Sequence, residues 1–277
     1  MNNANLKKTT AGIRIILYVA SFLVLSVGFS LYFLSEKTDT YFSWTINPPL
    51  TAAFLGAGYL ASFLIEYLSA SKKLWAQARP AVPGVWVFTI LTSIVTIIHR
   101  ARFHFDSPVF ITQAGTWFWL GIYISVPIAL GILWVLQAQQ PGIDPTRKET
   151  LPAWLRAILN FQGLVMFLFG AAMLLVPETI IPLWPWKLSV LTSQAIGAWG
   201  VGIGIIALHA SWENDWTRLS PMMVSYLAYG TLQTINLLRY PDTLDWTRFS
   251  APIYIVFVLS VLLTGAYGTW KARQIPN

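Results

Sequence analysis

Residues 12–34 read GIRIILYVASFLVLSVGFSLYFL, and residues 154–176 read WLRAILNFQGLVMFLFGAAMLLV. The two apolar stretches carry Arg, Ile, Leu and Gly at the same places, 142 residues apart, and the offset stays near this value further along the chain. The matching pairs are Arg14/Arg156, Ile16/Ile158, Leu17/Leu159, Gly28/Gly170 and Trp44/Trp186, then Gly56/Gly197, Ala57/Ala198, Trp75/Trp216 and Pro80/Pro221 at an offset of 141. Similarity at a fixed offset is typical of repeated structural units. We therefore expect two copies of one unit.

The composition indicates a membrane protein. Hydrophobic residues make up 56% of the 277 residues and charged residues only 10%, whereas ordinary soluble domains are about 25% charged. Eight apolar blocks have about the 20 residues needed to cross a bilayer as a helix: 12–34, 49–69, 82–99, 116–137, 154–176, 189–209, 220–239 and 251–270. The blocks are continuous and lack the alternation of barrel strands. The sequence predicts an all-α membrane protein with eight transmembrane helices.

The basic residues predict the orientation. Lys and Arg are enriched in cytoplasmic loops, and twelve of the 18 fall on one side of the predicted membrane if the N-terminus is cytoplasmic. They are Lys7, Lys8, Arg14, Lys72, Lys73, Arg79, Arg147, Lys148, Arg156, Arg218, Lys271 and Arg273. Both termini are then cytoplasmic, and both copies start on the same face, so the repeats are parallel. We expect a first repeat over 1–136, a cytoplasmic linker over 137–152 and a second repeat over 153–277.

Several kinds of chemistry are disfavoured. The chain has no cysteine and no phosphate-binding or metalloprotease motif, so we expect no cofactor and no metal. The basic residues lie beside predicted spans, which argues against a nucleic-acid partner. Glu66 is the deepest acidic residue, and we expect it near the cytoplasmic interface with its side chain in reach of water. Trp44, Trp184 and Trp186 are expected to anchor the outer interface.

One candidate site is a polar cluster at the predicted outer face. It comprises His99, Arg102, His104 and Asp106 from the first copy with Arg239 and Asp245 from the second. If the protein is an enzyme, His99, His104 and Asp106 are the candidate catalytic residues, acting on a lipid or isoprenoid. The two histidines are five residues apart, not the i,i+4 spacing of metal ligands on one helix face. The alternative interpretation is a cap of ion pairs that links the two copies.

The second candidate site is a polar stripe in the second copy. Tyr226, Tyr229, Gln233, Asn236 and Tyr240 are spaced three and four residues apart, which places them on one helix face. The equivalent face of the first copy is mostly apolar, and Gln162 and Gln194 likewise replace alanines. Buried amides in a membrane bond across helices or line a wet cavity. The candidate ligand-binding residues are Gln162, Gln194, Tyr229, Gln233 and Asn236, with purely structural amide bonds as the alternative.

Four short motifs resemble a group of uncharacterised bacterial multi-span membrane proteins. They are WTINPPLTAAFLGAGY at Trp44–Tyr59, RFHF at Arg102–Phe105, the Trp184-Pro185-Trp186 turn and ENDW at Glu213–Trp216. The resemblance implies a multi-pass protein of a bacterial cytoplasmic membrane, and it implies no catalytic residue.

These patterns favour a protein without enzymatic activity. We expect it to bind or transport a small molecule or lipid, or to serve as a membrane scaffold. The alternatives are an enzyme at the outer interface and an accessory subunit of a larger membrane complex. Membrane lipids are the expected partners, together with a small-molecule ligand or further copies of the chain.

Overall fold

The computed structural model describes residues 5–275, and this part of the chain is helical, without a strand. Residues 1–4 and 276–277 of the two predicted repeats lie outside the described residues. Each predicted apolar block coincides with one long helix. The helices are α1 (Ala11–Phe33), α2 (Pro49–Ser71), α3 (Val82–Ile98), α4 (Phe110–Ala138), α5 (Ala153–Leu175), α6 (Val190–Glu213), α7 (Trp216–Arg239) and α8 (Ser250–Ala272).

Six of these helices are long and apolar enough to cross a membrane: α1, α2, α4, α5, α6 and α8. Helix α3 is apolar but has only 17 residues. Helix α7 has 24 residues, but the polar stripe makes it less apolar than the others. The apolar helices indicate a multi-pass membrane protein, while the count of eight spans stays a prediction.

Local sequence explains where several helices begin and end. The side chains of Thr10, Ser189 and Asp215 accept hydrogen bonds from the first turns of α1, α6 and α7, as good N-cap residues do. Pro49 occupies the start of α2, where its missing N–H is not needed. Asn214 ends α6 with a positive φ of 49°, a conformation that asparagine tolerates better than most residues.

The first two helices of each half pack closely through glycines. A Cβ added at Gly28 would lie 2.8 Å from the backbone nitrogen of Leu60, and one at Gly170 would lie 2.8 Å from that of Val201. Leu60 and Val201 are themselves 141 residues apart. The α1–α2 contact therefore recurs as the α5–α6 contact at equivalent positions.

The third helix of each half packs against the second helix of the other half. Helix α3 crosses α6, where a Cβ at Gly84 would overlap the carbonyl oxygen of Gly202. Helix α7 crosses α2, where Ser225 Oγ donates to the carbonyl oxygen of Ala61 at 2.8 Å. Since Gly84 and Ser225 differ by 141 residues, as do Ala61 and Gly202, the two crossings use equivalent positions. The halves are interlocked.

Both halves also share a backbone contact at one end of the bundle, which we call the linker end because residues 139–152 lie there. Trp75 N donates to Lys7 O at 3.0 Å, and Trp216 N donates to Glu149 O at 3.2 Å. Residues 147–152 of the linker thus pack like the segment that precedes α1. The opposite end, with the loops 34–48, 99–109, 176–189 and 240–249, is called the loop end.

The α3–α6 crossing leads to a stability prediction. We expect Gly84→Ala to lower the free energy of unfolding by about 1–3 kcal/mol, because the new methyl group meets a backbone carbonyl that cannot move alone. Gly121→Ala in α4 is the matched control, since a Cβ there has nothing within 4 Å. Thermal unfolding in detergent should separate the two variants; equal melting temperatures would contradict this packing.

Candidate functional site

A cavity of about 320 Å³ lies in the second half, between α5, α6 and α8. Val165 and Phe169 of α5 form one wall, and Ile253 and Phe257 of α8 form the other. Trp184, Trp199 and Tyr229 lie at the back. We call this cavity the α5–α8 groove. Its lining is almost entirely apolar and rich in aromatic rings.

The back of the groove is built from packed aromatic rings. The ring centroids of Trp199 and Tyr229 are 4.9 Å apart, and those of Trp184 and Trp186 are 5.0 Å apart. Trp186 Nε1 donates to Thr51 Oγ1 of α2 at 2.8 Å, which ties this wall to the first half. Such ring contacts stabilise beyond the area they bury, so the back wall is a fixed surface.

These tryptophans correct the expectation of interface anchors. Trp184 and Trp186 are 7% and 1% exposed, and Trp44 is also buried. The three residues fold back from the loop end into the bundle, where their rings pack against other aromatic side chains. Anchoring at the membrane surface is therefore the wrong interpretation for all three.

The groove opens sideways between α5 and α8. Ile253 and Phe249 line its mouth and are largely exposed on the outside of the bundle. Towards the linker end it is closed where Gln162 Nε2 donates to Ser260 Oγ at 3.1 Å and to Thr264 Oγ1 at 3.3 Å. The opening therefore faces the surroundings of the helices, and the groove does not continue to the linker end.

The first half has a smaller cavity at the corresponding place. About 170 Å³ lies between α1 and α4 beneath Phe42, whose equivalent in the second half is Trp184. Leu23 and Val27 line it, and their equivalents Val165 and Phe169 line the α5–α8 groove. The two halves therefore share the position of the cavity and differ in its size.

The predicted polar residues of α7 lie together beside the groove. Gln233 Nε2 donates to Phe54 O at 3.0 Å, and Asn236 Nδ2 donates to Gln233 Oε1 at 3.2 Å. Tyr254 OH also donates to Gln233 Oε1, at 3.3 Å. Tyr229 lines the groove itself. These contacts join α7 to α2 and α8, as expected for interhelical amide bonds, and a ligand-binding role for them stays a prediction.

The other two amides of that prediction lie apart from this network. Gln162 closes the groove towards the linker end, as described above. Gln194 bonds to His99 Nε2 through Oε1 at 2.6 Å and donates to Leu174 O at 2.8 Å. Gln194 therefore links the two halves near the loop end and is absent from the groove lining of the described chain.

The residues of the polar cluster predicted at the outer face contact different partners in the structure. His104 contacts Thr45 Oγ1 at 3.1 Å and Phe42 O at 3.0 Å. The Arg239 guanidinium lies over the Tyr32 ring and donates to Tyr32 O at 2.9 Å. His99 bonds to Gln194. Two of these bonds, from His99 and Arg239, do link the halves, although not as ion pairs.

Asp245 pairs with Arg248 at 2.9 Å, and Arg102 and Asp106 form no ion pair in the part of the chain described. Hydrogen bonds from Thr247 and Arg248 hold the pKa of Asp245 below its usual value. Between residues 5 and 275, no side-chain hydrogen bond or ion pair joins two members of the cluster, although the backbone N–H of Arg102 donates to His99 O at 2.8 Å. Its contacts therefore give no support to a shared catalytic centre, and that role stays a prediction.

Sequence reasoning missed a buried charge network at the linker end. The carboxylate of Glu213, with a fully buried side chain, accepts hydrogen bonds from Arg79 and Arg218, and His209 Nε2 lies 3.3 Å away. Arg79 also pairs with Asp144 of the linker at 2.6 Å. Burial alone would lower the pKa of Arg79, but Glu213 and Asp144 raise it. Glu213 is part of the ENDW motif. The sequence signal that could have pointed to this network is an acidic residue at the end of a helix.

Glu66 also differs from its prediction. Its side chain is only 2% exposed, so the expectation that it reaches water at the interface is wrong. The reason is its direction: it faces α3 and α6 on one side and α1 and α4 on the other.

Comparison with known proteins gave no match to a family model, a curated protein or a solved structure. The apolar helices are consistent with the membrane-protein part of the predicted resemblance, and its bacterial part stays a prediction.

The Glu213 network leads to a second prediction. Glu213→Gln should lower the free energy of unfolding by about 3 kcal/mol, because the buried charge of Arg218 would lose its counterion and Arg79 would keep only its pair with Asp144. Asp245→Asn removes a carboxylate from an exposed pair and should change stability little. Chemical denaturation of both variants in the same detergent tests this, and an equal effect of the two substitutions would argue against a buried network.

Proposed function

We propose that this integral membrane protein binds one lipid-type molecule by taking its apolar chain into the α5–α8 groove. The observation that carries the proposal is a pre-formed, aromatic-lined cavity that opens sideways between two apolar helices. Its volume of about 320 Å³ lies within the usual range for small-molecule sites. In a membrane, such an opening faces the acyl region of the bilayer.

The residues that line the groove determine which kind of ligand it can bind. No Lys, Arg, Asp, Glu or His lines the described groove, so no charged group of the protein would attract a charged headgroup into it. A hydrocarbon chain gains binding free energy when it is buried against the apolar surface and aromatic ring faces of a preformed site. The headgroup of a bound lipid would stay outside, towards the loop end.

We further propose that the chain comprises two tandem, parallel copies of a four-helix unit with eight spans and both termini in the cytoplasm. The matching glycine contacts, the matching helix crossings and the matching bonds of Trp75 and Trp216 support the duplication. The predicted cytoplasmic residues Lys7, Arg79 and Lys271 all make contacts at the linker end. The groove would then lie in the outer leaflet, and the resemblance favours a bacterial cytoplasmic membrane.

A substitution at the mouth of the groove tests the binding function. Ile253→Trp should fill the space between α5 and α8 and reduce lipid retention at least about tenfold, which corresponds to about 1.4 kcal/mol of binding free energy. Native mass spectrometry of protein extracted with its lipids gives the stoichiometry directly.

Ile128→Trp in α4 is the matched control for that experiment. Ile128 and Ile253 are both 60% exposed, but Ile128 does not line the α5–α8 groove. Wild type and Ile128→Trp should each carry one tightly bound lipid, and Ile253→Trp should retain at most about a tenth of that amount. Equal lipid occupancy in all three proteins would rule out the groove as the site.

A further inference from the structure

Glu66 lies inside the bundle, and no charged partner for it occurs among residues 5–275. The carboxyl group has no ion pair in the described chain, and its Oε2 atom has no hydrogen-bond partner. The equivalent residue in the second half is Ala207, so the fold does not require a carboxyl group at this position. An acidic side chain in the interior of a membrane protein indicates function by default, because it is costly to bury.

Two very small cavities adjoin the Glu66 side chain. One, of about 10 Å³, lies between α2, α3 and α6 and is also lined by Ser62 and Gly84. The other, of about 20 Å³, lies towards α1 and α4 and is lined by Thr89 and Tyr123. A cavity needs about 10–15 Å³ to hold one water molecule. Each therefore has room for about one water molecule beside a carboxyl oxygen.

Among the residues that the structure describes, hydroxyl groups surround Glu66, and no Lys, Arg or His lines either of the two cavities. The nearby titratable groups are the phenols of Tyr59 and Tyr123, whose oxygens bond to each other at 2.8 Å. A carboxylate in this place would carry an uncompensated charge, and such groups take up a proton instead.

Glu213 shows the opposite arrangement in the same protein. Its side chain is as well buried as that of Glu66, but Arg79, Arg218 and His209 surround its carboxylate. Among residues 5–275, the carboxylate of one buried glutamate, Glu213, thus has cations beside it, and that of another, Glu66, has none. Burial of a glutamate in this fold is therefore compatible with a charged, paired carboxylate, and the uncompensated position of Glu66 is specific to its own site.

We propose that Glu66 is a proton-binding site, a neutral carboxylic acid that hydrogen-bonds to water in the flanking cavities. The site lies beside the α3–α6 crossing, since Gly84 and Gly202 line the same cavity. Release of the proton requires bulk solvent or a cation to stabilise the carboxylate, and the packed helices keep both out, since each flanking cavity has room for only about one water molecule. Proton occupancy is therefore linked to the closed packing of the two halves.

Infrared spectroscopy of the protein in lipid membranes at pH 7 tests this proposal. Wild type should show the C=O stretching band of a protonated carboxylic acid, and this band should be missing from Glu66→Gln. Two control variants should keep the band: Glu213→Gln, which removes the paired buried carboxylate, and Glu36→Gln, which removes an exposed one. Identical wild-type and Glu66→Gln spectra in the carboxylic-acid region would overturn the proposal.

Stability provides a second readout. A neutral amide should replace a neutral acid with little change in melting temperature, so strong destabilisation or unfolding of Glu66→Gln would also overturn the proposal.

Discussion

The structure depends on close approach of helix backbones where the two halves cross. Lipid offers no hydrophobic driving force between helices, so association depends on packing of small residues and on hydrogen bonds. At the α3–α6 crossing the helices are so close that only a glycine fits at position 84. At the α7–α2 crossing Ser225 donates a hydrogen bond to the Ala61 carbonyl oxygen. Each half therefore contributes its third helix to the other half.

This interlocking also explains where the groove forms. Helix α5 packs mainly against α6, and α8 packs mainly against α7. Between α5 and α8, contact through hydrogen bonds is limited in the described chain to Gln162 with Ser260 and Thr264. In the first half, α1 and α4 meet more closely, with Leu133 against Gly12. A gap remains between α5 and α8 because the crossings fix the inner helices α6 and α7, whereas α5 and α8 are joined by hydrogen bonds of the described chain only at the level of Gln162.

The features that suggest function lie where the halves differ. Gln162 has Ala20 as its equivalent, and Glu66 has Ala207. The groove belongs to the second half and the unpaired carboxyl group to the first. Residues common to both halves, such as Gly28 and Gly170, make equivalent packing contacts. Under the proposed duplication, the shared residues form the scaffold, and the two proposed sites lie where the copies differ.

The sequence predicted helix positions well because apolar blocks of about 20 residues report the length of a span directly. The polar stripe of α7 also predicted a buried face, since Tyr229, Gln233 and Asn236 all lie inside the bundle. Hydropathy does not report the direction of a side chain, however. It could not show that Glu66 faces the interior, or that Trp184 and Trp186 fold inward from a loop.

The remaining features of the structure depend on contacts between residues that are far apart in the sequence. Glu213 meets Arg79 across 134 residues, and Trp186 meets Thr51 across 135. No local pattern encodes such pairs. The groove depends on the relative positions of α5, α6 and α8 in the same way, and its lining residues are ordinary members of apolar spans.

The interlocked crossing can be tested directly by cross-linking, because the natural chain has no cysteine. Cysteines would replace Ala61 and Ser225, a protease site would be placed in the linker, and the oxidised, cleaved protein would be run on a non-reducing denaturing gel. We expect the two fragments to stay joined by a disulfide and to separate on reduction. A control pair at Ala61 and Ile253 should give separate fragments. Separate fragments from the oxidised Ala61/Ser225 pair, in protein with wild-type thermal stability, would contradict the account.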